Sequence, residues 1–342
     1  MSTESLTDDV DPVITEPMPR RKPHPISRTL LWLVVVGFVG FALWRLLGSE
    51  HHWLAVTTMS FTPYVMFAGI IPVVWSLVSR AGIAFTVVVL SILALAAVVV
   101  PRMISTQAPD VDGPKLTVMT VNLRVGGGDT GQVMDLVDQH EVDVLSVQEL
   151  TDEALDGLNE SGLTERFPHQ EFKASTDASG TGIFSRLPIT VLSPVPGRFF
   201  MPTVRLDLTE SEGDGQRVEF TAVHPTAPIS GDHIADWRAD IEALPGATLN
   251  GPIRILAGDF NASLDHRILR DLIGTGYHDA ASATGNGMVG TWQPVGAISG
   301  LIPPVALDRV LSDERTAIRN FSTHPITGSD HLAVVTVIQL PE

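Results

Sequence analysis

Apolar residues run on almost unbroken through the first hundred positions and then give way to alternation. Leu30 to Leu47 is interrupted only by Arg45, close enough to the end of the run for its side chain to snorkel. Trp53 to Val78 carries no charge but contains Pro63 and Pro72, and Ile83 to Val100 is uncharged and stops at Pro101-Arg102. Each run is near the ~17–25 residues that cross a bilayer as a helix. A single run of this kind could be a signal peptide or a buried core helix; three in succession predict three transmembrane helices over residues 29–102, the middle one kinked near Pro72. Residues 1–28 are polar and proline-containing without apolar periodicity, which predicts a disordered tail.

A polar linker follows over residues 103–114, and from Lys115 onward strands and helices alternate. Leu116–Asn122, Val142–Val147, Gly182–Phe184, Val204–Leu208, Val218–Val223, Ile253–Ala257, Val305–Leu311 and Leu332–Ile338 read as strands. Thr130–His140, with Val133, Leu136 and Val137 on one face, and Ile234–Leu244 read as helices. Residues 115–342 therefore form one layered α/β domain.

Charge adds orientation. Arg20, Arg21, Lys22 and Arg28 gather before the first apolar run and hold the N-terminus in the cytoplasm. Arg80 lies in the turn between the second and third runs, so three crossings place everything after Arg102 outside; Arg102 itself fits that side badly, and a re-entrant middle segment would reverse the topology. The chain carries a net charge of -17, and residues 103–342 hold 15 Lys and Arg against 33 Asp and Glu. So acidic a domain disfavours sequence-blind binding to a nucleic-acid backbone. The absence of cysteine excludes disulfides, thiolate metal sites and a cysteine nucleophile.

The candidate chemistry sits where strands stop. Ile253-Arg254-Ile255-Leu256-Ala257 breaks at Gly258 and presents Asp259 and Asn261, which, two apart on an extended segment, leave the strand end facing one way. Such oxygen donors suit a hard cation such as Mg²⁺ or a phosphoryl oxygen. Other predicted strands end at Asn122, at Gln148-Glu149 and at His224; one leads into Asp308, and Ser329-Asp330-His331 precedes the last. Each alone could be a cap or a turn, but six such endings point to one functional sheet edge.

Val121-Asn122-Leu123, Val147-Gln148-Glu149, Gly182-Ile183-Phe184-Ser185-Arg186, Val223-His224, Gly258-Asp259-Phe260-Asn261, Leu307-Asp308-Arg309-Val310-Leu311 and Ser329-Asp330-His331 together resemble the ordered motifs of the endonuclease/exonuclease/phosphatase superfamily. The resemblance covers Lys115 to about Leu340. It implies a four-layer αββα sandwich, two packed mixed β-sheets flanked by helices, and metal-dependent cleavage of a phosphoester. Position by position, it implies Glu149 as the chief Mg²⁺ ligand with Asn122 beside it, Mn²⁺ being the alternative ion. Asp259 would orient or deprotonate the attacking water, and Asn261 would hold a phosphate oxygen. His331, paired with Asp308, would act from the other side, Asp330 would support the metal site or His331, and His224 would stabilise phosphoryl charge. Gln148 is assigned to the fold, and Arg186 to substrate or to a surface ion pair.

The expected protein is a multi-pass membrane phosphoesterase with an extracytoplasmic catalytic domain, acting on a lipid-linked or small phosphorylated substrate. An extracellular DNA or RNA nuclease is the alternative, and an inactive binding scaffold a third reading. Gln293 to Ala306 is uncharged and contains Ile298, Leu301 and Ile302: either a loop packed on its own domain or an apolar lip contacting the bilayer beside the site. Phe199, Phe200 and Met201 form a second apolar cluster. Trp237 is expected in the core, and His233, His266, His278 and His324 are expected to be surface or structural residues.

Overall fold

A computed structural model describes residues 25–48, 50–208, 217–296 and 300–342. Most of the expected tail, with Arg20, Arg21 and Lys22, lies outside the described residues, as does Ile298. The chain opens with helices α1 (Pro25–Leu47), α2 (Trp53–Met59), α3 (Thr62–Ala68), α4 (Ile70–Val78) and α5 (Gly82–Val99), followed by a 3-10 turn over Val100–Met103. Then come β1 (Lys115–Asn122), α6 (Thr130–Gln139), β2 (Val144–Gln148), α7 (Asp152–Glu160), α8 (Leu163–Arg166), β3 (His169–Lys173), β4 (Thr181–Ser185), β5 (Ile189–Val191) and β6 (Thr203–Leu206). The series closes with β7 (Val218–Val223), α9 (Gly231–Glu242), β8 (Ile253–Asp259), α10 (Arg267–Ile273), β9 (Tyr277–Asp279), α11 (Ala280–Ala283), β10 (Asp308–Asp313), β11 (Ala317–Pro325) and β12 (Leu332–Gln339).

The strands form two six-stranded mixed sheets, ordered β11-β12-β1-β2-β4-β3 and β5-β6-β7-β8-β10-β9. Each has one central parallel pair, β1 with β2 and β7 with β8, joined by a crossover helix, α6 or α9. The neighbours on either side run antiparallel. Period-two alternation sends Val118, Val144, Phe220, Ile255 and Val310 between the sheets. Met119, Val121 and Leu145 point the other way, onto Val133 and Val137 of α6 and Leu158 of α7. Val223, Leu256 and Leu311 likewise meet Trp237 and Ile241 of α9 and Leu269 of α10. Both faces of both sheets are thus covered, which gives the four layers and explains the near-continuous apolar runs of the central strands. A polar contact crosses the inter-sheet core where the Ser146 hydroxyl donates to the Ala257 carbonyl at 3.0 Å.

Two helices, not the three expected, are long and apolar enough on their own to cross a bilayer: Ser27–Leu47 and Gly82–Met103. The middle run is broken into Trp53–Met59 and Thr62–Val78, which meet at 65°. The break falls at Ser60-Phe61, not at Pro72, because Pro63 opens α3 and its ring excludes the carbonyl four residues back. The chain still turns back on itself between α1 and α5. The indole of Trp75, on α4, reaches Ser27 at the start of α1, whereas Arg45 near the end of α1 and Arg102 just past α5 meet at one carboxylate. α1 and α5 therefore run in the same direction, with α3 and α4 returning between them. Gly69 permits this packing: a Cβ there would lie 2.7 Å from the Phe38 ring and 2.8 Å from Ile92.

The carboxylate that Arg45 and Arg102 share belongs to Asp265, six residues beyond Asp259. Its oxygens lie 2.8 Å from Arg45 Nε and 2.7 and 2.9 Å from Arg102, and all three side chains are buried. Burial opposes ionisation of Asp265, but the Arg102 and Arg45 guanidiniums override it and hold the carboxyl below its usual range. Glu50, just after α1, accepts from the Arg267 and Ile268 amides that open α10. Val56 of α2 packs into the core beneath α9 and α10, and its carbonyl meets His266 Nε2 at 2.8 Å. The Ser263 amide donates to the other ring nitrogen of His266, so Nε2 carries the proton and donates to Val56. Removing the shared carboxylate would leave two buried guanidiniums unpaired. Asp265→Ala is therefore expected to cost roughly 3–5 kcal/mol, read as a large fall in the thermal midpoint of the full chain in detergent; an unchanged midpoint would show that the pairs do not hold the helices to the domain.

Candidate active site

The strand directions dictate where chemistry collects. β1, β2, β7 and β8, the two parallel pairs, finish at one edge, and the antiparallel β10 and β12 begin there. Asn122 is thus the last residue of β1, Glu149 follows β2, His224 follows β7, and Asp259 is the last residue of β8. Asp308 opens β10, paired with Asp259, and Asp330 and His331 immediately precede β12. Gly258 is required at the end of β8, because a Cβ there would stand 1.9 Å from the Val223 carbonyl oxygen of β7. Glu149 and Asn261 turn sharply out of their strands at φ of 56° and 48°, left-handed values that non-glycine residues seldom adopt and that cluster at functional sites.

Seven of the eight residues singled out in the sequence meet in one connected network, and His224 stands beside it without a hydrogen bond among the described residues. The Asn122 amide donates to Glu149 Oε1 and to Asp259 Oδ2, both at 3.1 Å, and its carbonyl accepts from the Arg124 amide at 2.8 Å. Asn122 thereby braces one carboxylate from each sheet. The other Glu149 oxygen accepts from the Val125 amide at 2.7 Å. Asp259 Oδ1 accepts from the Asn261 amide at 2.8 Å, the Asn261 side chain donates to the Pro225 carbonyl, and the Trp237 indole donates to the Asn261 carbonyl. Trp237 is thus core, and also pins the catalytic turn.

His331 Nδ1 is 2.9 and 3.1 Å from the two oxygens of Asp308, while its Nε2 looks toward Asp259 at 3.8 Å and Asp330 at 4.0 Å. Burial works against a charged His331, but Asp308, Asp259 and Asp330 together overcome it and push its pKa up to about 10. His331 is therefore an imidazolium at neutral pH. His224 is the opposite case: burial lowers its pKa to about 4 and keeps it neutral. Its Nε2 lies 4.0 Å from Glu149, too far for a hydrogen bond and uncharged, and its Nδ1 has no partner among the described residues. Burial also raises the pKa of Glu149 and of Asp259, His331 pulling the latter partly back.

The donor set suits a divalent cation. Two desolvated carboxylates held 3.1 Å on either side of one amide are a hard-oxygen arrangement that a cation would relieve. Ligand atoms of Asp259, Asp308 and His331 also lie within 4.8 Å of one another, but His331 is there as a charged partner of Asp308, which disqualifies it as a ligand while protonated. Glu149, desolvated and bonded to the Asn122 and Val125 amides, is the better candidate seat.

Other residues at the site carried little or no signal in the sequence. The Trp292 indole donates to Asp330 Oδ2 at 3.1 Å, and its ring centre is 6.5 Å from that of His331. The Thr291 hydroxyl accepts from the Leu307 and Asp308 amides and fixes the start of β10. Arg124 approaches Asp330 at 3.8 Å, and Phe199 packs its ring 5.0 Å from His224. No spacing marks Arg124, Thr291 or Trp292, whereas Phe199 stood out only as part of an apolar cluster. Met201 is buried in the core. Gln148 serves the fold, accepting from Thr120 and donating to Ser146. Arg186 follows β4 at the opposite edge, where its amide bonds the Asp143 carbonyl, so it does not reach the site. His266 is structural, the His324 ring lies 4.6 Å from that of His140 at a tilt of 57°, and His233 lines the cavity.

The network floors a cavity of about 560 Å³. The family model described as the endonuclease/exonuclease/phosphatase family matches residues 119–331, a span containing every residue of the network. Among solved structures, the chain is similar to an endonuclease/exonuclease/phosphatase from Beutenbergia cavernae (16% identity over 66% of this chain and 72% of that one, TM-score 0.48). It is also similar to truncated Caenorhabditis elegans TDP2 (17%, 67% and 100%, TM-score 0.47) and to SmcL (16%, 66% and 99%, TM-score 0.45). No curated protein matches the sequence.

The Asp308–His331 pair yields a prediction with a definite sign. A folded-state pKa raised from 6.5 to about 10 gives a stabilising contribution that is complete below 6.5 and is lost as pH rises through 10. Asp308→Asn removes the facing charge, so the His331 resonance followed by NMR should titrate well below 10. Titration unchanged from wild type would show that Asp308 does not hold the proton there.

Proposed function

The chain belongs to the endonuclease/exonuclease/phosphatase family of metal-dependent phosphoesterases, and from that premise we propose that it is a membrane-anchored phosphoesterase working outside the cytoplasm. The observation that carries this reading is the Asn122 brace, which brings Glu149 of one sheet and Asp259 of the other together beside the His331–Asp308 pair.

Glu149, with Asn122 beside it, would hold Mg²⁺ or Mn²⁺. Such an ion, when bound, neutralises phosphoryl charge and lowers the pKa of water. Asp259, whose burial makes it more basic, accepts the proton of the attacking water. Asn261, fixed by Trp237 and Pro225, holds a phosphoryl oxygen. The imidazolium of His331 presents Nε2–H to charge developing on the phosphoryl group or leaving oxygen, and Asp308 prevents it from losing that charge. Asp330, itself anchored by Trp292, steadies His331. Neutral His224 donates to a phosphoryl oxygen without adding charge.

Residues 29–102 form the membrane region, residues 103–114 join it to the domain over 115–342, and residues 1–28 remain in the cytoplasm. The shared end of α1 and α5 at Asp265 supports this, because the catalytic domain then sits across the helices from the basic N-terminal cluster. Arg45 and Arg102 on the outer side do not count against it, since Asp265 neutralises part of their charge and buries both. The acidic surface favours a lipid-linked or small phosphorylated substrate over a nucleic acid.

The test uses the full chain in detergent with Mg²⁺, Mn²⁺ or chelator. Bis(p-nitrophenyl) phosphate, a phospholipid mixture, double-stranded DNA and RNA are the substrates. Metal-dependent hydrolysis of the small ester or lipid is expected, and Asp259→Asn and Glu149→Gln should each lower kcat/KM by about 10²–10⁴-fold. Cleavage of nucleic acid alone would replace this reading with a nuclease, and no hydrolysis at all would overturn it.

A further inference from the structure

We propose that the apolar lining of the catalytic cavity is a subsite for the hydrocarbon chain of a membrane-lipid phosphoester. This rests on the reading of the site as a phosphoesterase, and adds where the rest of the substrate lies.

The cavity, about 560 Å³, is the size of a small-ligand site and has a mixed lining. Glu149, Asp259 and His331 contribute charge to it. Val56 and Thr57 of α2, Phe61 in the bend that follows, Ile229, Ile302 and Leu307 contribute mostly apolar surface. A small polar phosphoester gains nothing from the apolar lining; an amphiphile uses both kinds.

The position of α2 identifies the occupant as a lipid. This helix belongs to the segment between α1 and α5, yet its Val56 is buried in the catalytic domain's own core, so a piece of the apolar region forms one side of the catalytic chamber. Trp53 and Leu54 at its start are exposed, as an interfacial helix requires. The Tyr64 hydroxyl of α3 donates to the Pro304 carbonyl at 2.6 Å, which ties the loop carrying Ile302 to the same apolar region. Ile229 is 70% exposed and Leu301 81% exposed, apolar side chains that water disfavours and that hydrocarbon would cover. A chain entering between α2 and this loop passes from bilayer to cavity without crossing water, while its phosphoester reaches Asp259 and His331. Each buried methylene is worth about fourfold in binding, so preference should climb steeply with chain length.

The experiment compares methyl, butyl and octyl p-nitrophenyl phosphates, each below its micelle-forming concentration, on the metal-loaded full chain in nanodiscs. The expected result is a rise in kcat/KM of roughly tenfold or more from methyl to octyl. Thr57→Trp and Ile302→Trp, which add bulk to the cavity lining from α2 and from the loop before β10, should each bring the octyl-to-methyl ratio close to one. Equal kcat/KM across the wild-type series would overturn this inference and leave the phosphoesterase reading standing. A full chain-length effect retained in both tryptophan variants would overturn the placement of the chain in this cavity. No hydrolysis of any ester would overturn both.

Discussion

Asp265 is where the two halves of this protein become one. A carboxylate taken fully out of water is costly, and so are two guanidiniums; here each makes the others tolerable. Such a buried triad contributes little net stability compared with apolar side chains of the same volume, and its value lies in geometry. It admits one arrangement, in which the ends of α1 and α5 stand side by side against the turn Ser263–His266. That turn leaves β8 a few residues after Asp259 and Asn261, so the apolar helices bear on the strand that carries them. Glu50 on α10 and Val56 on His266 repeat the same coupling on either side.

Around this fixed strand, the site is a problem in placing charge. Four carboxylates, those of Glu149, Asp259, Asp308 and Asp330, gather at the site, and among the described residues a single imidazolium is their only strong internal counter-charge beyond the partly exposed Arg124. Asp308 claims His331 through a hydrogen bond, which leaves Glu149 and Asp259 desolvated and underprovided. The imbalance makes chemical sense when a divalent cation supplies the missing charge. It also separates the carboxylates: Asp308 is tied to His331, whereas Glu149 and Asp259 are bridged by the Asn122 amide.

What the sequence revealed and what it hid divide along physical lines. The eight strands it predicted are the eight interior strands, whose two buried faces leave near-continuous apolar runs. The four it did not predict, β3, β5, β9 and β11, are the four sheet edges. Edge strands such as β3 (His169–Lys173) are partly wet and carry polar residues, so their alternation fades into loop composition. The site was legible because its residues stop interior strands and so punctuate strong apolar runs. Arg124 and Asp265 act through contacts with residues more than 160 positions away, Asp330 for one and Arg102 for the other, and no local pattern encodes such pairs. The middle apolar run is broken for a local reason that was visible but misplaced. Pro63 breaks the run, whereas Pro72 is accommodated within α4.

The broken middle segment changes what the apolar third of the chain is for. An anchor needs only length and hydropathy, and a straight helix from Trp53 to Val78 would have supplied both. Instead the chain gives up helical hydrogen bonds at Ser60-Phe61 and turns by 65°, a cost that anchoring does not repay. The return is that α2 lies against the catalytic domain, with Val56 under Trp237 and Thr57 on the cavity wall. Trp237 in turn fixes the Asn261 carbonyl, so the same core that receives α2 sets the position of a site residue. The bend therefore joins the apolar helices to the site's architecture, and the boundary between anchor and enzyme that composition places after Arg102 is not a boundary in packing.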